Sequence, residues 1–153
     1  MGWIDLKFKE QDEAAEARQE SIGRAAQEHN ARVAVASKAW ERMVEALRAD
    51  VQQYNAHPKA KKRVEIRVTQ NPILVEVNWR GELRVLLHIT RPAGEVVFGY
   101  SAVSFKASGA EQYSGEIAPT SENEFTLVDS NRQPRHIDVA KLSEELLSPV
   151  LFP

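Results

Sequence analysis

The 153-residue chain contains no cysteine, so it has no disulfide framework, no thiolate nucleophile and no zinc site built on sulfur. No stretch approaches the roughly 18 consecutive apolar residues of a membrane-spanning helix. The first eight residues, Met1-Gly2-Trp3-Ile4-Asp5-Leu6-Lys7-Phe8, lack the apolar run of about 7–15 residues that a secretory signal carries. Leu6 stands where N-myristoylation wants Ser or Thr. These absences lead to the expectation of a soluble, cytoplasmic protein. Charge of one sign is also missing: the formal net charge is −2, which argues against a wholesale polyanion binder.

Proline and glycine are scarce in the first third. No Pro occurs in residues 2–57, and Gly23 is the only Gly there after Gly2. Ala, Glu, Gln and Arg, all strong helix formers, fill the interval. The pattern predicts a long helix over residues 10–57, stopped where Pro58 disfavours helical geometry at His57. Ile22, Ala26, His29, Val33, Ala36, Trp40, Met43 and Leu47 recur in alternating steps of four and three until Asp50 breaks the row, and Tyr54 resumes it: a heptad seam. Val44 and Val51 widen it, so the stripe is narrow and Ala-rich before Val35, broad and bulky after Ala39. Glu20–Arg24 and Glu28–Arg32 add favourable pairs four apart.

Some 45 helical residues extend about 70 Å, whereas a compact domain of this length is only about 40 Å across. Such a helix either breaks near Ser21–Gly23 or sends its first turns beyond its own domain. The apolar cluster Trp3, Ile4, Leu6 and Phe8 precedes a very polar stretch and reads as a segment that docks on the core or on a neighbouring chain.

After Pro58 the period changes from helical to two. Val64, Ile66 and Val68, then Ile73, Val75, Val77 and Trp79, then Leu83, Val85, Leu87 and Ile89, alternate with mostly polar partners. Each set reads as a half-buried strand. Short connections carry turn residues: Asn71-Pro72, Gly81 and Pro92-Ala93-Gly94. In the fourth strand, Val96 to Phe105, the apolar parity changes, which predicts a bulge at Gly99–Ser101. Past a Ser108-Gly109 turn, Gln112–Ile117 and Glu124–Val128 read as shorter edge strands. Ser130–Arg135 reads as a polar loop, and Asp138 as the cap of a closing helix over 138–148 that Pro149 ends. The expectation is a single α+β domain over 1–153. A long N-terminal helix packs on a curved antiparallel meander of five to six strands (63–129), followed by a short C-terminal helix. In architecture alone, a helix followed by such a meander resembles cystatin-like and other helix-grip arrangements, which carries no functional assignment.

Chemistry-bearing motifs are absent. The sequence has no Gly-rich phosphate loop, no Ser elbow and no paired carboxylates in an apolar setting. The histidines at 29, 57, 88 and 136 have no ligand-like spacing, so no catalytic, cofactor-binding or metal residue is assigned. His136 and Asp138 read as a local hydrogen-bonding or capping pair. The best polar cluster is Glu76, Asn78, Arg84 and His88 on one face of two adjacent strands, with an ordinary solvent face as the plain alternative. Lys59, Lys61, Lys62, Arg63 and Arg67 form the one basic run, set against Glu65 alone, and read as a solvated helix-to-strand loop.

The leading functional expectation is a non-enzymatic interaction or scaffold module that forms a homodimer through Trp3, Ile22, Ala26, His29, Val33 and Ala36. The alternative is a carrier or sensor holding a small apolar ligand between helix and sheet, near Trp40, Trp79, Phe98 and Tyr100. Third comes an enzyme centred on His88. The basic run has neither interleaved aromatics nor a recognition helix. Random DNA or RNA should therefore bind no tighter than micromolar at physiological salt, as fluorescence anisotropy would measure; submicromolar, steeply salt-dependent binding would refute this.

Overall fold

A computed structural model describes residues 2–69, 71–92, 94–106, 109–129 and 133–152. The elements run α1 (Trp3–Ala56), β1 (Arg63–Val68), β2 (Ile73–Trp79), β3 (Glu82–Thr90), β4 (Phe98–Lys106), β5 (Gly109–Pro119), β6 (Glu124–Asp129), β7 (Arg135–Asp138) and α2 (Val139–Leu151). The fold is α+β, as the two periodicities require. The chain divides into two compact units, Met1–Ala34 and Val35–Pro153, with the boundary inside α1.

In the first unit the helix is unbroken at Gly23 and begins at Trp3, so the apolar cluster lies within the helix. All of residues 2–32 are exposed. An exposed Gly within a helix costs only about 1 kcal/mol relative to Ala. One such residue among strong helix formers does not stop propagation.

In the second unit the strands form one antiparallel sheet in the order β1-β2-β3-β4-β5-β6-β7, a pure meander. Its inner face is built from side chains of one parity: Val75 and Val77, Val85, Leu87 and Ile89, Phe98, Tyr100 and Ala102, then Ile117, Phe125 and Leu127, all buried. Ala36, Ala39, Trp40, Met43, Leu47 and Val51 of α1 belong to the same core. Leu142, Leu146, Leu147, Val150 and Leu151 of α2 complete it. The small Ala36 (1% exposed) lies one turn before Trp40 and Ala39 (0%) directly before it, and the Trp40 ring meets Phe98 edge-on at 5.0 Å between centroids.

Several local expectations are corrected. β4 pairs with β5 in unbroken register from Phe98↔Ile117 to Lys106↔Gly109, so there is no bulge at Gly99–Ser101. Phe98, Tyr100 and Ala102 keep the inner parity, and Val103 and Phe105 simply face outward, Phe105 being 42% exposed. The irregularity sits between β2 and β3, where Val77 opposes Val85 but Asn78 opposes Leu83. Arg84 is the extra residue. β5 is no edge strand: eleven residues long, it lies between β4 and β6.

Where a loop was expected, Arg135–Asp138 forms a seventh strand on β6, and only Ile137 of its four residues is apolar, too little for a legible alternation. Residues 130–132 of that loop, Ala93 of the preceding turn and Ser108 of the Ser108-Gly109 turn lie outside the described residues. Asp138 caps α2 as expected, its Oδ1 accepting from the Lys141 N–H at 2.8 Å. Pro149 does not end that helix, which continues to Leu151 because Val150 and Leu151 are buried.

Gly115 is required by a close approach: a Cβ there would meet the Val128 carbonyl oxygen and the Tyr100 ring directly opposite. At the β2–β3 hairpin, Arg80 and Gly81 both have positive φ, the two-residue turn whose twist matches its strands. Trp40→Ala, which removes the largest α1 side chain in the core, is expected to cost on the order of 3–5 kcal/mol in urea melts. A loss below about 1 kcal/mol would show that the helix face is misassigned.

Candidate functional site

Strand registry decides which sequence-nominated residues meet. In the Glu76/Asn78/Arg84/His88 group, Glu76 opposes Leu86, and His88 opposes Leu74 on one side and Ser101 on the other. Glu76 pairs with Arg67 across β1 at 3.7 Å, and Arg84 with Glu82 at 3.0 Å. The bulge turns the Arg84 guanidinium over Trp79, 5.2 Å from the ring centroid, with Arg80 at 4.6 Å. Each charged member is thus engaged with a neighbour outside the group. Arg84 Nε is buried with no hydrogen-bond partner among the described residues.

The four aromatics nominated for an apolar pocket are also divided. Trp40, Phe98 and Tyr100 are buried, and Ile73, Ile89 and Tyr100 follow one another across the sheet. Trp79 lies six residues along β2 from Ile73, about 20 Å at the rise of a strand. It ends the strand at the β2–β3 hairpin and is 37% exposed.

Of the residues nominated for an interface, Trp3 (73% exposed) and Ile22 (69%) stand fully in solvent, with Ala26 and His29 exposed and Val33 half-buried. Ala36 is the exception: it is 1% exposed and belongs to the core of the second unit. In the first unit the unbroken helix sets Phe8, Ala15, Ile22 and His29 seven apart.

Sequence reasoning missed a groove in the second unit, of about 980 Å³, between the end of α1, the loop after it and α2. Tyr54, Leu147, Leu151 and Phe152 supply its apolar surface, and Lys59, Lys61 and Lys62 line it from the loop. Phe152 is 71% exposed, and its ring meets the Tyr54 ring edge-on at 5.9 Å between centroids. Two side-chain links hold the walls. Asn55 donates from Nδ2 to the Val64 carbonyl at 2.8 Å and accepts from the Val64 N–H at 3.2 Å, fastening the end of α1 to β1. The Ser143 hydroxyl donates to Asp50 Oδ2 at 2.5 Å, joining α2 to α1. His57 Nδ1 accepts from the Lys59 N–H at 3.1 Å and shapes the loop between. The signal available in the sequence was the pairing of a basic loop with an apolar tail, but their juxtaposition depends on the whole meander.

Tyr100 lies near Asp129, Arg135 and Glu145, and its hydroxyl pKa is raised, first by burial and then by the Asp129 carboxylate. Arg135 and Glu145 pair at 3.1 Å and tie β7 to α2. His136 Nδ1 and Thr126 Oγ1 are 2.9 Å apart in a cross-strand pair. Among the described residues no three His, Asp or Glu side chains gather to hold a metal, and no helix is long and apolar enough to cross a membrane.

No protein-family model, no curated protein and no solved structure matches the chain.

Replacing Asn55 with Ala removes both bonds to Val64 and leaves part-buried backbone groups without partners. Asn55→Ala is expected to cost about 1–3 kcal/mol in denaturant melts, with faster amide exchange at Val64. Unchanged stability and exchange would show that this fastening contributes nothing.

Proposed function

We propose that the chain is a non-enzymatic interaction module that self-associates as a homodimer through the exposed face of α1. The observation that carries this reading is the seam itself. Phe8, Ala15, Ile22 and His29 stand at heptad spacing in the first unit, yet residues 2–32 are exposed throughout. A side chain such as Ile22, 69% exposed at the centre of a heptad row, is what a partner helix would cover. Ala26 permits close approach on the same side. A self-complementary surface of this kind is most simply closed by a two-fold axis.

The Ala-rich part of the seam contributes little burial, so Trp3, Ile4, Leu6 and Phe8, which are 50–73% exposed, have to supply much of the remaining area. Ala36 is excluded from this interface by its place in the core. The carrier reading has less support, because Trp40 and Phe98 already occupy each other's edges in the space a ligand would need.

Sedimentation equilibrium at micromolar concentration should give twice the 17.2 kDa chain mass. Ile22→Glu combined with Ala26→Glu, both at exposed positions, should yield a folded monomer with unchanged circular dichroism. A wild-type monomer at high concentration would overturn the proposal.

A further inference from the structure

We propose that the groove between the end of α1 and α2 receives the N-terminal turns of a second copy, with Trp3, Ile4, Leu6 and Phe8 as the inserted side chains. This rests on the self-association reading and says where its apolar end goes.

The groove has the chemistry of a peptide site rather than a lipid site. Its apolar surface, from Tyr54, Leu147, Leu151 and Phe152, is rimmed by charges of both signs: Lys59, Lys61 and Lys62 from the loop, Asp50 and Glu144 from the helices. An acyl chain with a single anionic head has no use for the carboxylates. The segment from Trp3 to Glu13 places apolar residues at 3, 4, 6 and 8, interposes Asp5, Lys7 and Lys9, and then becomes acidic at Glu10, Asp12 and Glu13. The segment from Trp3 to Glu13 carries four carboxylates against two bases, whereas the groove presents three lysines against Asp50 and Glu144. The two surfaces are complementary in sign as well as in polarity.

Area points the same way. Trp3 and Phe8 are of the class that buries about 150–250 Å² each. With Ile4 and Leu6, their exposed fractions offer on the order of 400 Å² per segment, and the groove roughly half as much. Two reciprocal contacts would bury roughly 1,200 Å², the lower end of the range for specific interfaces. The Phe152 ring, 71% exposed over this groove, is the residue such a contact would cover.

The test is photo-crosslinking of the full-length protein with Phe8→p-benzoylphenylalanine, using an equal mixture of unlabelled and 15N-labelled chains, beside sedimentation of Phe8→Ala, Phe152→Ala and the double variant. Both substituted positions are exposed, so folding should be retained. Expected are mixed-isotope crosslinks from position 8 to the α2 end of the groove. The dimer dissociation constant should rise at least tenfold in each single variant and hardly further in the double, because both remove one contact. A dimer crosslinked only within residues 3–33 of the two copies would overturn the groove while leaving self-association standing. Crosslinks within one chain of a monomer would overturn both, and a dimer insensitive to Phe152→Ala would overturn the groove alone.

Discussion

One face of a seven-stranded meander must be kept from water, and the structure of residues 35–153 follows from how that is done. The buried apolar side chains of β1 to β6 share one face because the registers are antiparallel and, apart from the irregularity between β2 and β3, continuous. A single helix is narrower than such a sheet, so the cover is shared. Half of α1 brings Ala36, Ala39, Trp40, Met43, Leu47 and Val51, and α2 brings Leu142, Leu146, Leu147, Val150 and Leu151. The Ser143–Asp50 bond links the two covering helices to each other. The seam where two covers meet is also where a groove can persist. A well-packed interior tolerates few voids, whereas the margin between two helices and a loop is bounded by side chains that need not interlock.

Sequence periodicity was sufficient for the elements with long, clean patterns and insufficient for the rest. The stripe from Ala36 to Val51 and the alternations in β2 and β3 were legible because each places many apolar residues in one phase. The parity change after Tyr100 suggests a bulge only if Val103 and Phe105 are inside; they lie on the face opposite Phe98, Tyr100 and Ala102. β7 has only Ile137 to declare it and is held by pairing to β6, which no local pattern reports. Pro149 marks a helix stop by propensity, and burial of the two residues after it overrides that preference.

Nominated site residues fared according to how far their relation depended on registry. Trp3, Ile22, Ala26 and His29 need only a helix to share a surface. Glu76 and His88 needed a particular cross-strand alignment, and the bulge at Arg84 altered the alignment beyond them. The groove was invisible because Leu151 lies far along the chain from Tyr54 and Lys61 and meets them only through the complete fold.

The sheet is open, which gives its two outermost strands a consequence for how copies can meet. A bare strand edge is a template for another strand, and unchecked it leads to fibres rather than defined assemblies. Here one margin, β1, carries Arg63, Glu65 and Arg67 on its solvent side, joined in a chain of ion pairs that reaches Glu76. The opposite margin, β7, is only four residues long and three of them are Arg135, His136 and Asp138. A second molecule adding a strand at either side would have to bring its backbone alongside these charged groups and, at β7, would gain only a short ladder. Polymerisation by sheet extension is thereby disfavoured.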